Sequence, residues 1–252
     1  MPNWCYNSIT IQGKKDELDR FMEAITVPTP TEEDGMEQYD FTLLHPTPDD
    51  LKIKSVHYPS SAEWYANASP EMIQEREELE LKYIANTAKY GVRCWYDWNC
   101  DNWGSKWAPK EIELELEDAY GGSGWAIHGT FETAWCPTSK LFLKISTLFP
   151  TLVFEITYTG EADEYLGCEI FYNGNVYDHN IDPYSDDPGL PSELAKRLKD
   201  MNELWEKCYS GEADFSDFYQ DRLDLMCDLR DFAEQEASKL FLDDHPNVYQ
   251  TI

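Results

Sequence analysis

The sequence predicts an α+β protein: an antiparallel sheet in the order βαββαβ, with a long helical insert after the first helix and a helical extension at the end. Three observations carry this. Trp4 to Gln12 alternates with period two. Helical stripes at three- and four-residue steps follow the first strand and recur after Thr138. Two further alternating runs, Ile112 to Leu116 and Trp125 to Trp135, are separated by a glycine turn at Tyr120 to Gly124 and read as a hairpin.

In chain order, the first strand sets Cys5, Asn7, Ile9 and Ile11 on one side and Tyr6, Ser8, Thr10 and Gln12 on the other. Gly13 ends it, and Leu18, Phe21, Met22 and Ile25 form the stripe of the first helix. Pro28, Pro30 and Gly35 break the next stretch. Phe41 to Pro46 reads as a short apolar segment entering a turn. Ser69 and Pro70 are a cap and first helical residue, and Gly91 is a stop, so a helix is expected over 70–90 with Met72, Ile73, Leu79, Tyr83 and Ile84 buried. The Trp-rich stretch after it reads as a turn whose indoles pack on the sheet. After the hairpin come a helix capped by Thr138 and closed by Pro150, a strand over 152–159, and a second hairpin around Gly174. This order is the ferredoxin-like topology. It describes topology alone, since no iron–sulfur ligand spacing is present.

Residues 1–179 are therefore expected to form the ferredoxin-like domain, with the insert at about 27–110, and residues 180–252 an acidic helical extension packed on it. Asn180 to Pro191 reads as a linker. Ser192 is expected to cap a helix running to about Tyr209, with Leu194, Leu198, Met201, Leu204 and Trp205 as its stripe. A second helix from about Phe215 to Leu242 would bury Leu223, Met226, Leu229, Phe232 and Leu240. A helix pair of this length is marginal alone, so it should pack on the domain or on a partner.

The chain has 252 residues with 49 acidic and 20 basic side chains, a net charge of −29. Phosphate binding needs clustered Lys and Arg, so direct nucleic-acid binding is not expected, nor is an anionic membrane surface. A basic protein surface is the expected partner, with long-range steering toward it. The same acidity also serves solubility. Aromatics make up 14% of the chain, which predicts a packed core. The N-terminus lacks a basic and apolar leader and no apolar run reaches membrane length, so a cytoplasmic setting is expected. Seven irregularly spaced cysteines without a CxxC pair predict reduced thiols, no disulfide and no metal. No cofactor is expected.

Four segments resemble a known family. Met1-Pro2-Asn3-Trp4-Cys5-Tyr6-Asn7, Asn102-Trp103-Gly104-Ser105-Lys106-Trp107 and Phe131-Glu132-Thr133-Ala134-Trp135-Cys136-Pro137 stand in order, with Tyr158, Glu161 and Gly167 continuing the pattern. Together they resemble the YubB-type ferredoxin-like family of phage and plasmid proteins over roughly residues 1–178. The resemblance implies the fold and a mobile-element setting, and carries over no catalytic residue.

Two sets of acids are candidate partner contacts: Glu111, Glu113, Glu115 and Glu117 on one strand, and Asp217, Asp221, Asp224, Asp228 and Asp231 at helical spacing. In the decoy reading these carboxylates replace phosphates on a host defence factor of the restriction or CRISPR class, as a DNA mimic. An ordinary solvated helix face has the same spacing. The alternative is a small-ligand pocket or enzyme site built from Asn3, Trp4, Asn7, Asn102, Trp103, Lys106 and Trp107, although the same asparagines suit pinning of the insert. A Cys–His nucleophile and a self-assembling accessory protein are the other readings. The adjacent pairs Asp163/Glu164 and Asp186/Asp187 arise by chance in so acidic a chain. Oligomeric state is not readable from the sequence.

Overall fold

The computed structural model describes residues 3–28, 38–118, 124–161, 165–185 and 189–251, with the side chains of Asp217, Gln220, Gln250 and Thr251 outside the description. The expected turn over 120–123 and the pairs Asp163/Glu164 and Asp186/Asp187 lie outside the described residues. Chain order is β1 (Trp4–Gly13), α1 (Lys15–Ile25), a two-residue pair β2 (Thr26–Val27) and β3 (Gln38–Tyr39), α2 (Ala62–Asn67), α3 (Pro70–Tyr90), α4 (Trp95–Asn102), β4 (Lys110–Asp118), β5 (Trp125–Ala134), α5 (Ser139–Leu148), β6 (Val153–Gly160), β7 (Leu166–Tyr172), β8 (Asn175–Ile181), α6 (Ser192–Ser210), α7 (Phe215–Asp244) and α8 (Val248–Thr251).

The main sheet runs β4-β5-β1-β6-β7-β8 and is antiparallel throughout. Its first four strands are the ferredoxin-like core. β1 is central as expected, paired along its length with β5 from Trp4↔Ala134 to Gly13↔Trp125. The β7–β8 hairpin widens the sheet from the expected four strands to six. It turns at Asn173 (φ 47°) and Gly174 (φ 78°), the Asn-Gly pair that a tight hairpin turn requires.

Period two puts Ile9 and Ile11 of β1 under α1 and α5. There Phe21, Phe41, Phe131, Phe142, Phe154 and Phe171 form one fully buried aromatic core. Phe142 lies 5.1 Å from Phe41 and 5.6 Å from Phe131, ring to ring. Phe41 enters this core from a 3-10 turn at Phe41–Leu44, which fastens the insert to the domain.

The second face is covered at one end. Leu166, Cys168 and Ile170 of β7 and Ile181 of β8 pack against Leu225, Leu229, Ala233, Ala237 and Phe241 of α7. The extension is thus the second layer of the sheet. Its helices correct two expectations. Leu223 and Leu240 are exposed, because the α7 face turned to the sheet is the one carrying Phe218, Leu225, Leu229 and the two alanines. Ser192 is the first helical residue after Pro191 and makes no side-chain cap bond.

The insert differs more. α3 starts on the Ser69 cap and stops at Gly91 (φ 79°) as expected. Leu79 and Tyr83 are buried, but Met72 and Ile84 are exposed, because α3 stands off the sheet and packs mainly on the segment before it through Ile53 and Tyr58. The first part of the Trp-rich stretch, Trp95–Asn102, is a helix, α4, and only its end, from Trp103 to Trp107, is the expected turn.

Candidate functional site

Three strands leave one face of the sheet open. On β1 the even residues point away from the core, and the register sets Tyr6 beside Glu132 and Thr159, and Ser8 beside Thr130 and Thr157. These side chains floor a cavity of 740 Å³, bounded on one side by β4 and on the other by Arg230 of α7. The floor is largely hydroxyl, with Tyr6 the large exposed aromatic on it.

β4 is the edge strand. Glu113, Glu115 and Glu117 pair with Thr130, His128 and Ala126, so all three carboxylates stand on the open face, and all are exposed. Among the described residues, none of the three has an ion pair. Glu111 departs from the expected alternation. A bulge between Lys110 and Glu113 places it at φ 49°, out of the row, although it still borders the cavity. Charges on an edge strand also keep it from pairing with another sheet.

One end of the cavity is closed by Lys110, whose ammonium is 2.9 Å from Glu132 and 3.8 Å above the Trp4 ring. Trp107 follows, 6.3 Å from Trp4 and with the Lys106 ammonium 3.9 Å from its ring centre. Of the alternative pocket residues, Trp4, Lys106 and Trp107 therefore meet at the surface. Asn3 is exposed, and its carbonyl accepts from the Trp135 amide at 3.0 Å.

The other three are committed elsewhere, which corrects the single pocket. Asn7 is buried, and its amide lies within reach of the Cys5 and Phe131 carbonyls and the Thr133 hydroxyl, at 2.9, 3.2 and 3.1 Å. Asn102 donates to the Trp98 carbonyl at 2.9 Å and meets the His45 ring at 3.3 Å. The Trp103 indole N–H donates to the His45 carbonyl at 2.8 Å. Asn99, with Thr47 donating to it at 2.6 Å, completes this set of pins between the α4 region and the earlier insert segment at His45 and Thr47. Asn7→Ala is expected to cost about 2 kcal/mol, since it strips a buried network of its donor. A lower urea midpoint at unchanged slope would show it.

The acidic stripe of α7 is only partly free. Asp221, Asp224 and Asp231 are exposed, while Asp228 is half-buried and ion-paired with Arg197 of α6. Asp221 and Asp224 border a smaller cavity with Arg197 and Lys207, so α6 neutralises part of the stripe. The side chain of Asp217 is outside the described residues.

Burial works against a thiolate nucleophile at four of the seven cysteines. All seven cysteines are unpaired. Cys168 faces His179 across β7 and β8, but it is fully buried and burial drives its pKa far up. Burial also pushes Cys5 up to about 11 and raises Cys100 and Cys136. Thiolates are therefore scarce at these positions at neutral pH. Among the described residues no group of three His, Cys, Asp or Glu side chains has metal-holding geometry, and no helix is long and apolar enough to cross a membrane.

Two glutamates escaped the sequence reading. Glu169 is buried under α5, with the Ser139 hydroxyl donating to it at 2.7 Å. Glu155 faces Glu234 between β6 and α7. Burial, added to by Asp178, pushes Glu169 up to about 7 against the Ser139 bond. Burial and the charge of Glu234 push Glu155 up to about 7. Their alternation in strands was readable, but their burial depends on which faces the helices cover.

Residues 102–207 match the family model of the ferredoxin-like domain in Api92-like protein. The matched span begins in α4 and ends within α6, so it takes in the β7–β8 hairpin and the start of the extension. It includes three of the four segments quoted above, all but the first. Gly167, at the end of that pattern, is fixed by geometry: a Cβ there would lie 2.5 Å from the Tyr158 hydroxyl and 2.8 Å from the His179 carbonyl. A solved structure, protein Api92 from Yersinia pseudotuberculosis, aligns over 75% of this chain and 100% of its own at 12% identity, with a TM-score of 0.40. No curated protein matches.

Proposed function

We propose that this chain is an acidic interaction protein of a phage or plasmid, of the YubB type, that occupies the basic surface of a host nucleic-acid-binding defence factor. The observation that carries this reading is the row Glu113, Glu115 and Glu117, exposed, without ion pairs among the described residues, and held rigidly on a paired strand. Alternate strand positions repeat about every 6.8 Å. One DNA strand carries a charge about every 3.4 Å. The α7 stripe from Asp221 to Asp231 spans about 15 Å, with Asp228 already neutralised. Neither row reproduces phosphate spacing, so the likeness to DNA in this reading is one of electrostatic field alone. The Trp4, Lys106 and Trp107 cluster supports the ligand-binding alternative less well, because both lysines lie against indoles and Lys110 is paired with Glu132.

The test is competition. A partner captured from a bacterial host extract and identified by mass spectrometry is expected to bind either duplex DNA or this chain. Added salt should weaken both complexes. Reversing Glu113, Glu115 and Glu117 together with Asp221 and Asp231 to lysine should weaken binding at least about tenfold. Simultaneous binding of DNA and this chain would remove the reading.

A further inference from the structure

The second face of the sheet is covered by α7 over β7 and β8 and stands open over β4, β5 and β1. We propose that this open trough receives a basic α-helix of the partner protein, lying beside α7. The proposal rests on the acidic-interaction reading and adds the docking surface and the form of its occupant.

Width, charge and floor chemistry support it together. From β6 to β4 are three strand spacings, about 14 Å. A helix with its side chains is about 10–12 Å across. The DNA major groove, about 12 Å wide, admits the same object. The outer wall is the row of β4 carboxylates. The inner wall presents Arg230 of α7. Lys110 closes one end but is neutralised by Glu132. Positive charge is therefore drawn to the β4 side and held off at Arg230.

The floor separates a basic helix from other occupants. Ser8, Thr130, Thr157 and Thr159 offer hydroxyl acceptors to Lys and Arg N–H groups, while the threonine methyls and the Tyr6 ring can lie against the aliphatic stems of the same side chains. Single-stranded nucleic acid uses such faces elsewhere by stacking bases on several aromatics in a positive field. Here Tyr6 is the aromatic on the floor, Trp4 and Trp107 lie at one end against Lys110 and Lys106, and the β4 rim is negative.

The experiment uses the full chain and a synthetic alanine-based helical peptide of about five turns carrying Arg at i, i+4 steps. Binding is read by fluorescence anisotropy at low salt. Glu113→Lys with Glu115→Lys and Glu117→Lys should weaken binding at least about tenfold. Ser8→Trp, which fills the floor without changing charge, should do the same. Arg230→Glu should tighten it. Asp221→Lys with Asp231→Lys should leave it within about twofold. All these side chains are exposed, so thermal melts should confirm intact folds. An equally charged peptide interrupted by prolines should bind weakly, and equal binding by it would overturn the helix. An unaffected Ser8→Trp variant would overturn the trough. Loss of binding in the Asp221/Asp231 variant alone would end the trough proposal and leave the acidic-interaction reading standing. Full binding by both lysine-bearing variants would end both.

Discussion

A chain ended at Asp182 is expected to lose its cooperative fold. The cut leaves β7 and β8 in place but removes α6, α7 and α8. Val153, Leu166, Cys168, Ile170 and Ile181, each at most 1% exposed in the whole chain, would then face water. At about 1.5–3 kcal/mol per large apolar side chain, this face alone is worth on the order of 10 kcal/mol. Whole-domain stability is about 5–15 kcal/mol. The loss is therefore comparable to everything that holds the fold together. An uncovered apolar sheet face of this kind also invites association. Size-exclusion chromatography and a urea melt of the shortened chain check it. A monomer that melts at the parent midpoint would show that the extension packs without stabilising.

The second large effect is a fall in stability as pH rises from about 5 to 8. Glu155 and Glu169 hold their protons up to about pH 7 in the folded chain, whereas an unfolded glutamate titrates near 4.3. Between these values the folded state binds more protons than the unfolded state, so stability declines with rising pH. The decline is complete above the folded pKa. For Glu169, 8% exposed, it amounts to about 3 kcal/mol. Glu155 is more exposed and shares its environment with Glu234, so its part is smaller. Repulsion among the excess carboxylates acts in the same direction. Glu169→Gln isolates the buried group, since the amide keeps an acceptor for the Ser139 hydroxyl and has no charge to bury. Urea midpoints of parent and variant should converge near pH 5 and separate by pH 8, with the variant the more stable. Parallel curves would show that the buried carboxyl is not the source.

Much of the fold was legible because the signals are local. Ser69, Pro70 and Gly91 bracket α3 through the backbone groups they cap or free. Ile9 and Ile11 alternate with Ser8 and Thr10, and that is enough to give β1 a wet and a dry face. α4 was missed because Trp, Tyr, Asp and Asn are weak helix formers, and the helix exists through Trp98 and Trp103 packing in the core. On α7 the stripe holds for Met226, Leu229 and Phe232 but not for Leu223 and Leu240, because apolar residues lie nearly all round the helix and only contact with β7 and β8 selects among them.

By itself the sequence determined the net charge, the strand and helix order of the core, the caps, and the acidic alternation of β4, because each depends on residues close together in the chain. The tertiary structure decided which of those features can meet a partner. It set Asn7, Asn102 and Trp103 to structural work, neutralised Asp228 with Arg197 from a different helix, moved Glu111 out of the row by a bulge, and left one sheet face open beside α7. These outcomes depend on partners tens to hundreds of residues apart, as with Asn7 and Thr133. Burial and pairing are properties of packed surfaces, and no local pattern in one strand or helix states which surface will lie across from it.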